Sequence, residues 1–583
     1  MVLEIFSPFL ILLFLLVIAI GCGNTILYLS PLLRVDDTVS FRLGASYFIG
    51  VGFFIVGIRL LAYLGISPKL AVLIVLCISI LLIAGRCKSH KRIVAGIKNI
   101  VTDKYFLLIF SLFIGFCIVI LFRWLPGQVD IDKQPLGFVG SLHSVRYAWV
   151  SNYILANNYI PILSQNTGQS ILAYIGGALT VPAPFLYLYL WLVFSILFLS
   201  LFVYGFLRSY VSSKAIALYI SILFMFGNTA LSIGYVLTID SGSPFAMNGY
   251  TDTLIGVFSI IFILILNERL PKYGIGFFRI FLIALLIAVL NFLCAPQNIL
   301  YICGLAALLI LMDERLGLKK YRRAFFWFFV VVIASIIAIP LGGMLTPKKL
   351  SSVIDYSGLL AANLGTLDDK HFFGFHVSML GVRFMFVELF GLYEPYFERL
   401  VDFPKMHAHF SLLMFFKFIW ALEQRFIVSL RVMFFPIIGI LTLLYWRPLE
   451  SLERSNHLKF QELIPQRILG VYGVVFFLTG FIICFVFDLN GRSWELSRFL
   501  IPGIVIGMIG MSIATAKLIK KTGIEKVILI FAINLFMLFG PILCLTSTSY
   551  LNLFRPSHPY GLKDDFKIFV GVGPKVSQVG PRL

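Results

Sequence analysis

The chain has 583 residues, of which 60% are hydrophobic and only 13% charged, with a formal net charge of +20. Soluble domains carry about 25% charged residues. A mean hydropathy of +0.98, with repeated apolar runs of roughly 18 residues or more, therefore excludes a soluble globular protein and implies an all-α, polytopic integral membrane protein. In a soluble chain the positive charge would suggest a nucleic-acid partner. Here Lys and Arg gather in short loops between apolar runs, as in loops that orient a membrane protein, so no nucleic acid is expected.

In chain order the apolar runs predict about fourteen spans, at 5–28, 44–64, 69–85, 105–123, 184–207, 214–236, 252–268, 276–293, 296–313, 324–345, 428–446, 468–488, 498–517 and 525–546. The first follows Met1 with no basic leader and no small-residue cleavage site, so it is expected to be a retained span. Residues 1–104 then form a three-helix extension and 105–345 a seven-helix part with a long first outer loop at 124–183. A second long outer loop follows at 346–427, then four helices at 428–546 and an outer tail at 547–583.

Orientation follows from four basic connections. Arg86, Lys88, Lys91, Arg92, Lys98 and Lys104 crowd one, and Arg315, Lys319, Lys320, Arg322 and Arg323 another. Arg447, Arg454, Lys459 and Arg467 fill a third, and Lys517, Lys520, Lys521 and Lys526 a fourth. With these spans all four fall on one face, the cytoplasmic one, which puts both termini outside. The apolar piece Ser170–Thr180 is too short to cross a core about 30 Å thick. It is expected at the outer face, as a membrane-surface or partly inserted helix.

The eight cysteines show no metal-ligand or redox spacing, so no zinc site or disulfide framework is indicated. The absence of a Walker A sequence and of a GxGxxG after a strand argues against ATP-driven pumping by this chain.

The candidate chemistry lies in the outer connections. Asp130 and Asp132 follow the span at 105–123. Asp240 and Tyr250 lie in the short loop 237–251, and Asp252 opens the next span. Carboxylates at the mouth of a helix bundle can act as general bases, orient a substrate, or hold a divalent cation such as Mg or Mn through oxygen ligands. Equally, they can be solvated interfacial acids that cap helices. In LHSVRYAWVSNYI, His143 and Arg146 share a face if the stretch is helical, and a guanidinium there suits a phosphate. The alternative is a wet amphipathic helix at the lipid interface. Arg492, Glu495 and Arg498 precede the thirteenth span, where two guanidiniums can hold a phosphate headgroup or simply pair with the glutamate. The histidines of 346–427, including His407 and His409, are expected to be structural rather than metal ligands.

These segments resemble the GT-C superfamily of polytopic membrane glycosyltransferases. YILANNYIPILSQNTGQSILAYIGGAL resembles the segment after that family's first acidic motif, GYTDTLIGVF its second acidic motif, and SRFLIPG its R-Y/F-x-x-P segment. The resemblance implies a seven-helix module preceded by three extra helices. It further implies transfer of a sugar, of the hexosyltransferase type, from a polyprenyl-phosphate-linked donor at the outer face of a bacterial inner membrane.

Under it, Asp130 or Asp132 is the first-loop catalytic acid and Asp252 the second. Arg498, with Arg146 and Arg492, contacts the donor phosphate, and His143, Asp240 and Tyr250 lie on the acceptor side. Ser141 and Leu142 precede His143 where the family carries an acid. Two other readings stand beside it: a transporter or flippase for envelope polysaccharide or lipid, and a non-catalytic assembly protein of the same fold.

Overall fold

The computed structural model describes residues 2–30, 38–85, 142–160, 167–179, 184–210, 251–268, 274–294, 321–341, 435–446 and 466–486. It also describes scattered positions at 32 and within 106–111, 214–221 and 503–514. Among these residues every regular element is a helix. Three stretches are long and apolar enough to cross a membrane: Phe9–Leu29, Val39–Tyr63 and Ile275–Cys294. The expected spans at 296–313 and 525–546, the loop 346–427, the tail 547–583 and most of 105–123, 214–236 and 498–517 lie outside the described residues.

The chain divides into two units. The first holds α1 (Val2–Leu29), α2 (Val39–Tyr63), α3 (Pro68–Ala84), α4 (Leu142–Asn157), α5 (Thr167–Leu179), α6 (Pro184–Tyr210), α7 (Thr251–Glu268), α8 (Ile275–Cys294) and α9 (Tyr321–Ala338). The second holds α10 (Phe435–Tyr445) and α11 (Gln466–Val486).

The helix α2 is the centre of the first unit, packed against α1, α3, α6 and α8. Thr38 starts it by accepting a hydrogen bond from the Phe41 amide on its hydroxyl, satisfying one of the donors a helix start leaves open. At its other end Gly65 takes φ +86°, and the amides of Gly65 and Ile66 return to the carbonyls of Ala62 and Leu61. This is the left-handed glycine cap that closes a helix abruptly. Pro68 then begins α3 with no amide to satisfy. The α1–α2 crossing is backbone on backbone: a Cβ on Gly23 would meet the Ser46 carbonyl, and one on Gly50 the Ala19 carbonyl. In lipid, such close approach of small residues is a main source of helix–helix attraction.

The contacts also fix helix direction. Phe41 lies against Gly205, Gly44 against Phe198 and Phe202, and Tyr47 against Trp191 and Ser195, so α2 and α6 run antiparallel. Arg279 at the start of α8 donates to the Leu29 carbonyl at the end of α1, while Leu290 near the end of α8 lies against Gly52. Phe277 and Phe281 of α8 meet Phe326 near the start of α9, and the far end of α9 reaches Arg59 of α2. Thus α2, α8 and α9 begin at one end of the unit, where α1 and α6 finish.

The outward faces are apolar. Leu10, Leu13, Phe14 and Val17 of α1 are exposed at helical spacing, as are Leu70, Leu73 and Leu81 of α3 and Phe325, Phe328 and Phe329 of α9. A soluble helix shows the reverse pattern; lipid is the solvent that such faces require.

The second unit is joined by glycines. Gly439 of α10 meets the backbone of Gly507, and Gly503 packs on Phe477 of α11.

Candidate functional site

Two short helices, α4 and α5, pack on each other and into the end of the first unit at which α2 and α8 finish. Asn158 ends α4 at φ +49°, a left-handed conformation that asparagine tolerates better than most residues. Its side-chain oxygen accepts a hydrogen bond from the Lys69 amide in the first turn of α3. There it supplies a cap that Ser67 does not provide. Two residues further on, the Ile160 carbonyl accepts from Arg59 at 3.4 Å. Arg59 also donates from Nε to the Leu341 carbonyl just beyond α9. Only 2% exposed, this guanidinium ties α2 to the chain after α4 and to the chain after α9. A buried arginine is stable only where such acceptors are arranged around it.

The helix α5 has 13 residues, about 20 Å at 1.5 Å per residue, well short of a bilayer core. Residues 168–177 are all buried. A helix lying on the surface of the unit would leave one face open; over these residues α5 is instead enclosed by its neighbours. Small residues make the close packing possible. The Tyr187 ring lies against Gly176, and a Cβ on Gly168 would come within 2.7 Å of Cys294 Sγ and 3.5 Å of Ile55. The Trp191 indole donates to the Leu172 carbonyl at 3.1 Å, pinning α6 to α5.

Several polar atoms in this pair lack the partners found elsewhere. Gln169 Nε2, Ser170 Oγ and Ser151 Oγ have no hydrogen-bond partner, and the three residues are 2%, 0% and 0% exposed. By contrast, Ser79, Ser195, Ser200, Ser221 and Ser259 each return the hydroxyl to the carbonyl four residues back. Ser46, at the α1–α2 crossing, is a further exception.

Of the residues singled out from sequence, the backbone of His143 and Arg146 lies in α4. Helical spacing puts positions 143 and 146 on one face of the helix. Asp252 is the second residue of α7, in the turn where the helix dipole favours a carboxylate. Residues 254–263 beyond it are buried throughout. Asp130, Asp132, Asp240, Tyr250, Arg492 and Arg498 lie outside the described residues. Among the described residues no group of three or more His, Cys, Asp or Glu side chains gathers. Of the acids weighed as bases or as oxygen ligands for a divalent cation, Asp130, Asp132 and Asp240 are not among those residues, and Asp252 is placed at the start of α7.

Sequence reasoning singled out none of Gln169, Ser170, Ser151 and Arg59. The signal for the first two was present: Ser164–Ser170, SQNTGQS, is a polar, glycine-containing lead into an apolar run, the composition of a helix start. Comparison with known families, characterised proteins and solved structures finds no match to this chain.

Proposed function

We propose that the protein is a membrane glycosyltransferase that moves a sugar from a polyprenyl-phosphate-linked donor to an acceptor at the outer face of a bacterial inner membrane. It would have about fourteen spans and both termini outside. The observation that carries the reading is the polarity of the first unit. Arg42, Arg208, Arg279, Arg322 and Arg323 belong to the end at which α2, α8 and α9 begin, the cytoplasmic signature. The buried helix α5 and the end of α4 lie toward the opposite end.

In the reaction, an acceptor hydroxyl attacks the anomeric carbon and gives its proton to Asp130 or Asp132. The bond from that carbon to the phosphate oxygen breaks, and polyprenyl phosphate leaves as the anion. Asp252 orients the acceptor, and Arg498 with Arg146 offsets the charge on the leaving phosphate.

A flippase is favoured by one observation, the buried Arg59 in a spanning helix. That guanidinium is held by backbone carbonyls near the end of α2 rather than halfway along it, which favours chemistry at the surface. The test is transfer from a panel of polyprenyl-phosphate hexoses by Asp132→Asn and Asp252→Asn variants. Turnover should fall by about 10²–10⁴-fold in the variant lacking the base with expression unchanged. Normal turnover in both would remove the enzyme reading.

A further inference from the structure

We propose that the first turn of α5 is a phosphate-binding site, with Gln169 and Ser170 as side-chain ligands. It rests on the transferase reading only for the identity of the lipid that bears the phosphate. A helix start leaves four backbone amides without intrahelical acceptors and carries a partial positive charge, which makes it a seat for an anion. In α5 this turn is Thr167–Ser170, and it is buried from Gly168 onward.

Two further donors in the same turn, Gln169 Nε2 and Ser170 Oγ, are buried and have no partner. Helical side chains tilt toward the N-terminus, which carries the Gln169 amide toward the first-turn amides that have no acceptor within the helix. The unsatisfied groups there can all donate, and the ligand they fit is rich in acceptor oxygens. A neutral ligand would leave the helix charge unused; a phosphate takes both.

The surroundings agree. Gly168 seats the turn against Cys294 and Ile55, and Ile55 lies one turn from the buried Arg59 on α2, at i and i+4 on one face. The guanidinium serves as a nearby positive charge while its bonds to Ile160 and Leu341 hold the frame. Ser151 adds another unpartnered buried hydroxyl on α4, the helix packed against α5. Its own helix offers the Tyr147 carbonyl four residues back, the acceptor type used by five other buried serines, and it does not use it.

The test uses the full chain in maltoside micelles, free of phospholipid, with farnesyl phosphate, farnesol and inorganic phosphate as probes. Binding is read by microscale thermophoresis and by the shift in melting temperature. Farnesyl phosphate should bind and farnesol should not. Gln169→Leu/Ser170→Ala should weaken farnesyl phosphate at least roughly tenfold, since two hydrogen bonds to a charged group are lost. Ser200→Ala, which removes a hydroxyl already satisfied within its own helix, should bind like the parent.

If inorganic phosphate binds with the same dependence on Gln169 and Ser170, the site reads the free anion; if only farnesyl phosphate does, the source is lipid. Should the double variant not fold, Ser170→Ala alone and Gln169→Glu, which sets a like charge against the ligand, carry the test. Equal binding by the parent and the folded variants would overturn the proposal, as would no binding of either phosphate. The readout involves no sugar transfer, so it stands or falls separately from the Asp252 experiment.

Discussion

Around α2, polar groups taken out of water find acceptors close at hand. The Tyr47 hydroxyl lies 2.7 Å from Ser195 Oγ, Ser195 returns to the Trp191 carbonyl, and Asn291 donates to both Ser259 and Ile287. On α4 and α5, burial is as complete, yet Ser151, Gln169 and Ser170 each hold an atom with no partner. Ser46 Oγ and Asn291 Oδ1 are among the exceptions in the first region; in the second, three such atoms fall on one pair of short helices. An unsatisfied buried polar atom costs about 1–3 kcal/mol. Three in one helix pair carry a cost that lipid packing does not remove, and the proposed phosphate would offset it.

The contrast can be broken at the closed region first. Gly50→Leu forces a side chain into the Ala19 carbonyl across the α1–α2 crossing. Overpacking costs about 1–3 kcal/mol where neighbours can move, and a backbone cannot give as a side chain does. The expected result is the largest loss of folded protein, read by size-exclusion fluorescence. A normal yield would mean that the crossing is looser than described.

Tyr47→Phe should cost about 1 kcal/mol in thermal unfolding, because Ser195 keeps its bond to the Trp191 carbonyl. The smallest effect belongs to the open region. Without ligand, Gln169→Leu/Ser170→Ala should leave the melting temperature unchanged or raise it, because apolar groups of similar shape replace unsatisfied ones. Equal destabilisation by Tyr47→Phe and the double variant would erase the distinction between the two regions.

Much of the frame was legible from apolar runs, since α1, α2, α3, α6, α7, α8 and α9 overlie expected spans. Core and lipid are both apolar, so a run of Leu, Ile and Phe announces such a helix whichever way it faces. The same ambiguity hid the packing of α5. Its length excluded a crossing, but nothing local showed that residues 168–177 would be enclosed by protein. Arg59 was hidden for another reason. Its acceptors, Ile160 and Leu341, lie 101 and 282 residues away, a separation that no local pattern encodes. His143, Arg146 and Asp252 were legible as residue types at helix starts, and the backbone gives them helical positions.

The central claim is that the α4–α5 end of the first unit faces outward, away from the basic end, and is where substrate is handled. It can be tested by labelling with a membrane-impermeant maleimide in spheroplasts, using a chain whose eight cysteines are replaced by alanine. Single cysteines would be placed at Tyr159, which is 50% exposed, and at Ile275, which is 72% exposed. The account predicts that Tyr159→Cys labels in intact spheroplasts and Ile275→Cys only after lysis. Labelling of Ile275→Cys in intact spheroplasts, with Tyr159→Cys protected until lysis, would contradict it.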